Sequence, residues 1–416
     1  MSKRLKIAFI SGPANVREIY REWSEQTEQV YFGTDYMKQF LQVVRDVNGE
    51  AFVVTWYGNK RETFRLGEFT FDNRPITEAG GARYYLEHFI WHMKVLVRLI
   101  AYRPHVLLLT GNQNFWWLLS PLRLFGTKII VSYHAVVWQK LSKPTWVWRL
   151  MVKLNGLLIL KHAKAILSTS NDIRRQVEEV LGSSVNQVEI LDHLPTYSPQ
   201  QFEGIRPPSS PTTRPFRTFF LGRNETNKGI FDIVEIGRQL EQREPGMYKF
   251  DLCGSGSQLE NLRKRVAELG LQDVVRVHGY SSPEHVRELL NESHACIVPT
   301  RSDYEAGFEM TCSESILAGR PLVTSPVCPA LEHLADASVE VAPDEIDGYR
   351  DAIVALANDP DLYERKRQAC EPLQAQFYDR GNSWYSAMMA ALNRYVLPGS
   401  SVGRGANRAI AAEASG

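Results

Sequence analysis

The sequence predicts an α/β protein built from two doubly wound, Rossmann-like domains, and three observations support this prediction. Short apolar runs alternate with longer amphipathic segments, which is typical of strands and helices around a mainly parallel sheet. The alternation occurs twice, on either side of a proline-rich stretch at residues 204–216. The chain has 416 residues, 44% of them hydrophobic, which is enough to bury the cores of two or three domains.

The predicted strands form two series of six. The first comprises residues 7–10, 51–56, 105–109, 128–132, 165–168 and 188–191, with helices near 34–48, 84–102, 145–162 and 171–181; the second comprises residues 218–221, 250–253, 274–277, 295–298, 322–324 and 339–341. Prolines in residues 204–216 block both helix and central strand, so this stretch is the predicted linker. The predicted domains are 1–203 and 217–380, followed by a helix at 381–398 that packs back on the first domain and a disordered tail at 399–416.

The composition excludes several classes of protein. The 48 Lys and Arg residues balance 47 Asp and Glu residues, so no chain-wide field favours nucleic acid. No apolar run approaches the roughly 18 residues of a membrane span, and the run at 7–10 is too short for a secretory signal. The five cysteines lack metal-type spacing. We therefore expect a cytoplasmic protein with reduced, buried thiols.

The segment after the strand at 218–221 carries two cations. Arg223 and Lys228 follow this strand, and a helix begins near Lys228. Ligands of doubly wound sheets bind beyond the carboxyl ends of the strands, where cations and free helix N–H groups suit a diphosphate. Solvated loop charges are the alternative interpretation.

The next predicted strand also ends in a glycine turn. Gly254 and Gly256 form half of a GxGxxG pattern, because the third position is Leu259. A nicotinamide dehydrogenase is therefore disfavoured. A plain turn between strand and helix is the alternative to a ligand-binding turn.

An acid lies in an apolar helix further along the chain. Residues 310–317 are predicted to be helical, and Glu314 lies among apolar neighbours there. A buried carboxylate is costly without a partner. The partner is either a ligand hydroxyl or a nearby arginine.

Together these residues resemble the second domain of family 4 retaining glycosyltransferases, glycosyl transferases group 1 with the GT-B fold. The pattern comprises Arg223 and Lys228, the Gly-x-Gly turn, Gly307-Phe308, Glu314 and Ala-Gly-Arg-Pro, and the first half matches more loosely through Gly33, His134 and residues 163–170. The resemblance implies two Rossmann-like domains facing across a cleft, with a nucleotide-sugar donor between them. It also implies transfer of the sugar to an acceptor with retention, without a metal ion or a cofactor. The only Asp-x-Asp motif, Asp359-Pro-Asp361, is typical of a helix start.

The resemblance assigns roles to individual residues. Arg223 and Lys228 would bind the donor diphosphate, and Glu314 would hold the nucleotide ribose. His134 would meet the donor sugar. The remaining matched positions would approach the donor closely, mainly through their backbone: Gly33, Gly222, Gly254, Gly307, Phe308, Glu309 and Met310.

One departure from the family concerns its two glutamates. The family separates them by seven residues, whereas Glu305 and Glu314 have eight between them, and Ala306 stands at the expected position. We predict that the turn carries one extra residue, that Glu305 still reaches the sugar, and that Glu309 points away from the donor. A missing upstream carboxylate would instead favour a non-catalytic nucleotide-sugar-binding protein. A nucleotide-sugar epimerase on the same fold is a further alternative.

A regional charge is not explained by the family. Residues 88–171 contain no Asp or Glu, but they contain eleven Lys and Arg residues and six of the nine tryptophans. Two predicted helices combine tryptophan with cations, Trp91 with Lys94 and Arg98, and Trp146 with Arg149 and Lys153. Such faces suit an anionic membrane surface, so we expect a peripheral enzyme on the inner membrane face with a lipid-linked, polysaccharide or small-molecule acceptor. A solvated basic cleft with core tryptophans is the alternative.

Overall fold

The computed structural model describes residues 4–25, 35–76, 80–111, 114–141 and 144–397. The chain divides into two compact units. The first is drawn from residues 1–137, 144–196 and 380–416, and the second from residues 138–143 and 197–379. Each unit contains its own sheet and its own helices.

The first unit is built around an eight-stranded sheet. Its strands are β1 (Lys6–Ile10), β2 (Glu50–Thr55), β3 (Glu62–Leu66), β4 (Phe69–Asn73), β5 (Val106–Leu109), β6 (Lys128–Tyr133), β7 (Ala163–Ser168) and β8 (Glu189–Asp192). Their order in the sheet is β3-β4-β2-β1-β5-β6-β7-β8. All neighbours pair in parallel except β3 and β4, which form an antiparallel hairpin that the sequence analysis did not predict.

Helices cover both faces of this sheet. They are α1 (Val16–Ser24), α2 (Tyr36–Asp46), α3 (Gly81–Tyr102), α4 (Trp146–Leu158) and α5 (Asn171–Leu181). The connections β4–β5, β5–β6 and β6–β7 run in one direction across the sheet, so right-handed crossovers bring α3, the 3₁₀ segment Trp116–Phe125 and α4 to one face. The 3₁₀ segment lies between the two helices and packs against both.

The second unit has a six-stranded parallel sheet. Its strands are β9 (Phe216–Leu221), β10 (Tyr248–Cys253), β11 (Val275–Gly279), β12 (Ala295–Val298), β13 (Leu322–Thr324) and β14 (Ser338–Glu340), in the order β11-β10-β9-β12-β13-β14. The helices are α6 (Ile230–Arg243), α7 (Leu259–Glu268), α8 (Pro283–Glu292), α9 (Met310–Leu317), α10 (Leu331–Leu334), α11 (Ile346–Asn358), α12 (Pro360–Gln368) and α13 (Cys370–Tyr378). The strand order reverses between β9 and β12, and ligands bind at such a reversal in doubly wound sheets.

The last described helix, α14 (Trp384–Tyr395), belongs to the first unit, where it packs against α2 and β7. The Trp384 side chain is fully buried, and its indole N–H donates to Ser132 Oγ at 2.9 Å. Two helix-covered, mainly parallel sheets confirm the predicted α/β class. Among the described helices, none combines the length and the apolar character needed to cross a bilayer.

Candidate active site

Two glycine-containing loops meet beside β9. The Gly222 N–H donates to the Cys253 carbonyl at 3.0 Å, and the Asn224 side-chain amide donates to the Gly254 carbonyl at 2.6 Å. A Cβ atom at Gly254 would lie 1.8 Å from the Gly222 carbonyl oxygen, so no other residue fits there. Loop packing therefore accounts for the Gly-x-Gly turn. Contact of Gly222 or Gly254 with a donor stays a prediction.

Tyr304 brings the two predicted phosphate-binding cations together. Arg223 Nη2 donates to Tyr304 Oη at 2.9 Å, and Lys228 Nζ lies 4.2 Å from the centroid of the same ring. Arg223 is exposed, whereas Lys228 is only 7% exposed. The backbone behind Lys228 is held by Gly229, which has φ +72° and where a Cβ atom would lie 2.2 Å from the Pro299 carbonyl oxygen. The lysine is thus supported by a turn that requires glycine.

Glu309 is a third partner in this cluster. Its Oε1 lies 2.6 Å from Lys228 Nζ, and both side chains are largely shielded from water. Glu309 immediately precedes α9, where the unpaired N–H groups of the first turn favour a negative charge. The carboxylate therefore points at Lys228, and its orientation relative to a donor stays a prediction.

Glu305 lies in the same loop without a partner. Although the residue as a whole is exposed, partial burial raises the pKa of its carboxyl group. Within the described parts of the chain its side chain makes no hydrogen bond or ion pair. Its contact with a donor sugar stays a prediction.

Glu314 is a half-buried residue of α9. Burial raises the pKa of its carboxyl group to about 7, and a hydrogen bond from Tyr197 opposes part of this rise. The Tyr197 hydroxyl also contacts Ser313 Oγ at 2.9 Å. The partner of Glu314 is therefore a tyrosine, whereas the sequence analysis offered a ligand hydroxyl or an arginine.

The residues around the start of α9 divide into anchors and exposed groups. Phe308 is buried, and its ring centroid lies 5.9 Å from that of His333 and 6.1 Å from that of Phe377. Phe308 thus fixes the loop that contains Gly307. Met310 begins α9 and is 44% exposed.

His134 belongs to the first unit and directly follows β6. Its Nε2 lies 3.2 Å from Ser132 Oγ, and its ring centroid lies 3.8 Å from that of Tyr36, the first residue of α2. Burial lowers the pKa of His134 to about 3, so the imidazole is neutral at physiological pH. Gly33, the other predicted site residue of this unit, lies outside the described residues.

Sequence reasoning missed Tyr304, Tyr197 and the role of Glu309. Each acts through a contact between loops or between a loop and a helix, and spacing along the chain carries no signal for such contacts. Within the described residues, no group of three His, Cys, Asp or Glu side chains is placed to hold a metal ion. The five cysteines are buried and unbridged.

In residues 88–171, the stretch without acids, the tryptophans are less exposed than predicted. Trp91 is buried, and its indole N–H donates to the Arg74 carbonyl at 2.9 Å. The prediction that Trp91 joins Lys94 and Arg98 at the surface is therefore wrong, because the bulky ring packs into the unit. Of the six tryptophans in this stretch, all of them described, Trp146 alone is exposed, at 75%.

Known proteins are similar to this chain in sequence and in fold. Residues 201–371 match the family model described as glycosyl transferases group 1. Glycogen synthase from Mycobacterium tuberculosis is 22% identical over 240 residues, which cover 57% of this chain and 55% of the relative. A GDP-mannose:cellobiosyl-diphosphopolyprenol alpha-mannosyltransferase from Xanthomonas oryzae is 26% identical over 243 residues, which cover 56% and 59% of the two chains. The chain thus spans just over half the length of these curated relatives.

Solved structures share the fold across most of the chain. Sucrose-phosphate synthase from Thermosynechococcus elongatus superposes with a TM-score of 0.65 at 16% identity, covering 95% of this chain and 100% of that one. WaaG, a glycosyltransferase involved in lipopolysaccharide biosynthesis, gives a TM-score of 0.61 at 13% identity, with coverage of 95% and 100%. The match of residues 201–371 to the glycosyl transferases group 1 and the shared GT-B fold together support a group 1 glycosyltransferase.

Proposed function

We propose that this protein transfers a sugar from a nucleotide-sugar donor to an acceptor hydroxyl, with retention of configuration and without a metal ion. One observation carries the proposal. Arg223 and Lys228 meet at Tyr304 beside the N-terminus of α9, within the family's matched region. Two cations and the free N–H groups of a helix form a site for a diphosphate.

The proposed reaction uses these groups on a charge that grows as the donor breaks. The bond from the anomeric carbon to the diphosphate oxygen breaks, a bond from the acceptor oxygen forms, and the acceptor proton passes to the departing diphosphate. Arg223 and Lys228 would stabilise the diphosphate as it leaves. Glu314 would bind the ribose hydroxyls, and the neutral His134 would offer a hydrogen bond to the sugar. Retention is implied by the resemblance to the family.

A ligand screen followed by a product assay tests the proposal. Thermal shifts with UDP, GDP and ADP identify the base, because a bound ligand raises the unfolding temperature by mass action. The matching nucleotide-sugars are then incubated with candidate acceptors, and the anomeric configuration of the product is read by NMR. Inversion would contradict the retaining assignment. Failure of all three nucleotides to bind would contradict the donor site.

A non-catalytic nucleotide-sugar-binding protein is the second candidate. It is favoured by the pairing of Lys228 with Glu309 and by the absence of a partner for Glu305 among the described residues. Such a protein would bind a nucleoside diphosphate but release no product with any acceptor. Free sugar or an epimerised donor in the same assay would instead indicate a hydrolase or an epimerase.

We further propose that the first unit lies on an anionic membrane. On α3, the exposed large apolar side chains follow the spacing i, i+3, i+4, i+7 and i+11, namely Leu86, Phe89, Ile90, Met93 and Val97. The same spacing on α4 gives Trp146, Arg149, Leu150, Lys153 and Leu157. Leu124, 88% exposed, and Phe125 lie at the end of the 3₁₀ segment that packs between the two helices. An apolar surface with cations thus covers one face of the unit.

Charge identifies the occupant of this surface. No acid occurs in residues 88–171, so the cations on α4 and the exposed Lys94 on α3 are not neutralised from within the stretch. Apolar side chains that insert beside Lys and Arg suit anionic lipid, to which each cation near the surface contributes about 1 kcal/mol. The mannosyltransferase relative acts on a diphosphopolyprenol-linked sugar by its name, which supports a lipid-linked acceptor here.

Sedimentation with vesicles tests the membrane proposal. Anionic vesicles should bind the protein at low salt and bind it less at high salt, because attraction between charges is screened over roughly 8 Å at physiological ionic strength. Replacing Lys94, Arg149 and Lys153 with Gln should release the protein. Arg98 is left in place because it lies 3.6 Å from the buried Asp72.

Two comparisons make this result decisive. Phe89→Ser with Val97→Ser should weaken binding, whereas Tyr280→Ser, at an exposed position of the second unit, should not. Equal, negligible binding to anionic and neutral vesicles would remove the case for a membrane. A dimer that dissociates in the Phe89→Ser variant would assign the surface to a second copy of the chain.

A further inference from the structure

Glu309 occupies the place of an anion in the candidate site. Its carboxylate lies 2.6 Å from Lys228 Nζ and directly before the first turn of α9. A bound phosphate would use the same two features, a buried cation and the N-terminal N–H groups of a helix.

Lys228 cannot serve both anions independently. The lysine is 7% exposed, its Nζ lies over the Tyr304 ring, and Gly229 fixes the backbone behind it. A diphosphate beside Lys228 would lie close to the Glu309 carboxylate, and two anions in a partly dehydrated site repel each other. Binding must therefore break the Lys228–Glu309 ion pair, and release of the product allows it to form again.

We propose that Glu309 sets the affinity of this site, because its carboxylate competes with the diphosphate for Lys228. The competition weakens binding of the donor and of the nucleoside diphosphate product, and it accelerates product release. Release of product limits turnover in many enzymes, so weaker product binding can increase the steady-state rate. This inference rests on the proposed function, in which Lys228 binds the diphosphate. Glu309 acts through Lys228 and is thus a positioning residue.

Titration calorimetry with inorganic pyrophosphate and with UDP tests this role. Glu309→Gln keeps the shape of the side chain and removes its charge, so both probes should bind about tenfold more tightly. If the protein proves active, the same variant should lower both KM for the donor and kcat, because product leaves more slowly. Glu309→Gly, which removes the whole side chain, should act in the same direction. Unfolding temperatures of both variants verify that the fold is intact.

The control is Asp303→Asn. It removes one negative charge from the same loop at an exposed residue that the site does not use. Pyrophosphate affinity should change by less than twofold, so a tenfold effect of Glu309→Gln cannot be attributed to overall charge. Unchanged or weaker binding in Glu309→Gln overturns the inference, since the glutamate would then be neutral or would support the lysine.

Lys228→Met separates this inference from the proposed function. If Lys228→Met binds pyrophosphate as tightly as the unmodified chain, the lysine does not bind the diphosphate and the proposed function fails. If Lys228→Met loses binding while Glu309→Gln gains none, only the role of Glu309 fails. In the double variant Lys228→Met/Glu309→Gln, the gain from Glu309→Gln should disappear, because no cation remains to be released.

Discussion

The sheets of the two units end in opposite chemistry. Beyond β9 and β12 in the second unit, the side chains are ionic, with Arg223, Lys228 and Glu309 grouped around Tyr304. Beyond β6 and β8 in the first unit, the side chains are imidazoles: His193 is buried, His134 is half-buried, and their ring centroids lie 6.0 Å apart. Burial lowers the pKa of both histidines.

This contrast follows from whether each ionisable side chain has a partner that compensates for the loss of water around it. Lys228 has a carboxylate at 2.6 Å and an aromatic ring beneath it, which compensate for the loss of water around its charge. His193 has no hydrogen-bond partner for either ring nitrogen within the described structure, so only its neutral form tolerates burial. One sheet thus ends in paired ionic side chains and the other in neutral imidazoles; under the proposed function, the first would bind the diphosphate and the second would contact the sugar.

The largest expected effect is the loss of Lys228. Lys228→Ala should reduce transfer at saturating donor by roughly a hundredfold or more, because losing one donor to a growing charge costs about 3 kcal/mol. His134→Ala should reduce turnover but leave pyrophosphate affinity unchanged, since no anion is assigned to the first unit. Lys264→Ala, at an exposed lysine of the second unit, is the control. A Lys228→Ala variant with near-normal turnover would break the comparison.

Glu314 should make the protein less stable as pH rises. Its pKa is about 7 in the folded state and near 4.5 when unfolded, so the folded state binds more protons between these values. Stability is fully present below pH 4.5 and decreases up to pH 7, by on the order of 3 kcal/mol. Glu314→Gln should lack this decrease, which urea unfolding at a series of pH values measures. A difference between the two proteins that does not vary with pH would show that Glu314 ionises normally.

Periodicity alone predicted most of the regular elements. The strand predicted at 295–298 is β12, and the helix predicted at 171–181 is α5, with the same bounds. The β3–β4 hairpin was missed because the polar and apolar residues of Glu62–Leu66 alternate at a partly exposed edge and form no continuous apolar run. Buried parallel strands are apolar on both faces, which makes them the easier elements to recognise.

The sequence could predict those parts of the candidate site whose position depends only on the order of strands and helices. Arg223 and Lys228 could be found because they follow a strand of a doubly wound sheet. Tyr304 and the ion pair between Lys228 and Glu309 could not, because these contacts depend on how the loop after β12 folds back on the loop after β9. The buried state of Trp91 was missed for a similar reason, since helical periodicity does not reveal which face the rest of the unit covers.

His134 should affect stability with the opposite sign. Its pKa is about 3 in the folded state against 6.5 when unfolded, so the unfolded state binds more protons between these values. Stability is fully present above pH 6.5 and should fall by about 2 kcal/mol by pH 5. His134→Phe, which keeps a ring against Tyr36, should lose this acid sensitivity in urea unfolding. An equal fall in both proteins would assign the sensitivity to other groups.

The smallest expected effect on pyrophosphate affinity comes from removing a single hydroxyl group in the second unit. Tyr304→Phe keeps the ring beneath Lys228 but removes the oxygen that accepts from Arg223 at 2.9 Å. Arg223 then loses the hydrogen bond that orients it. A hydrogen bond to a charged group contributes about 1.5–3 kcal/mol, and it contributes less when the residue is exposed. We expect pyrophosphate to bind about fivefold more weakly, equivalent to about 1 kcal/mol.

Two related variants separate the hydroxyl from the ring. Tyr304→Leu removes both and should weaken pyrophosphate binding further, because Lys228 loses its cation–π contact. Tyr36→Phe is the matched change in the first unit, where the tyrosine ring lies against neutral His134, and it should leave pyrophosphate affinity unchanged. If Tyr36→Phe weakened pyrophosphate binding as much as Tyr304→Phe, the anion would also depend on the first unit. The division of ionic and neutral chemistry between the two sheets would then be wrong.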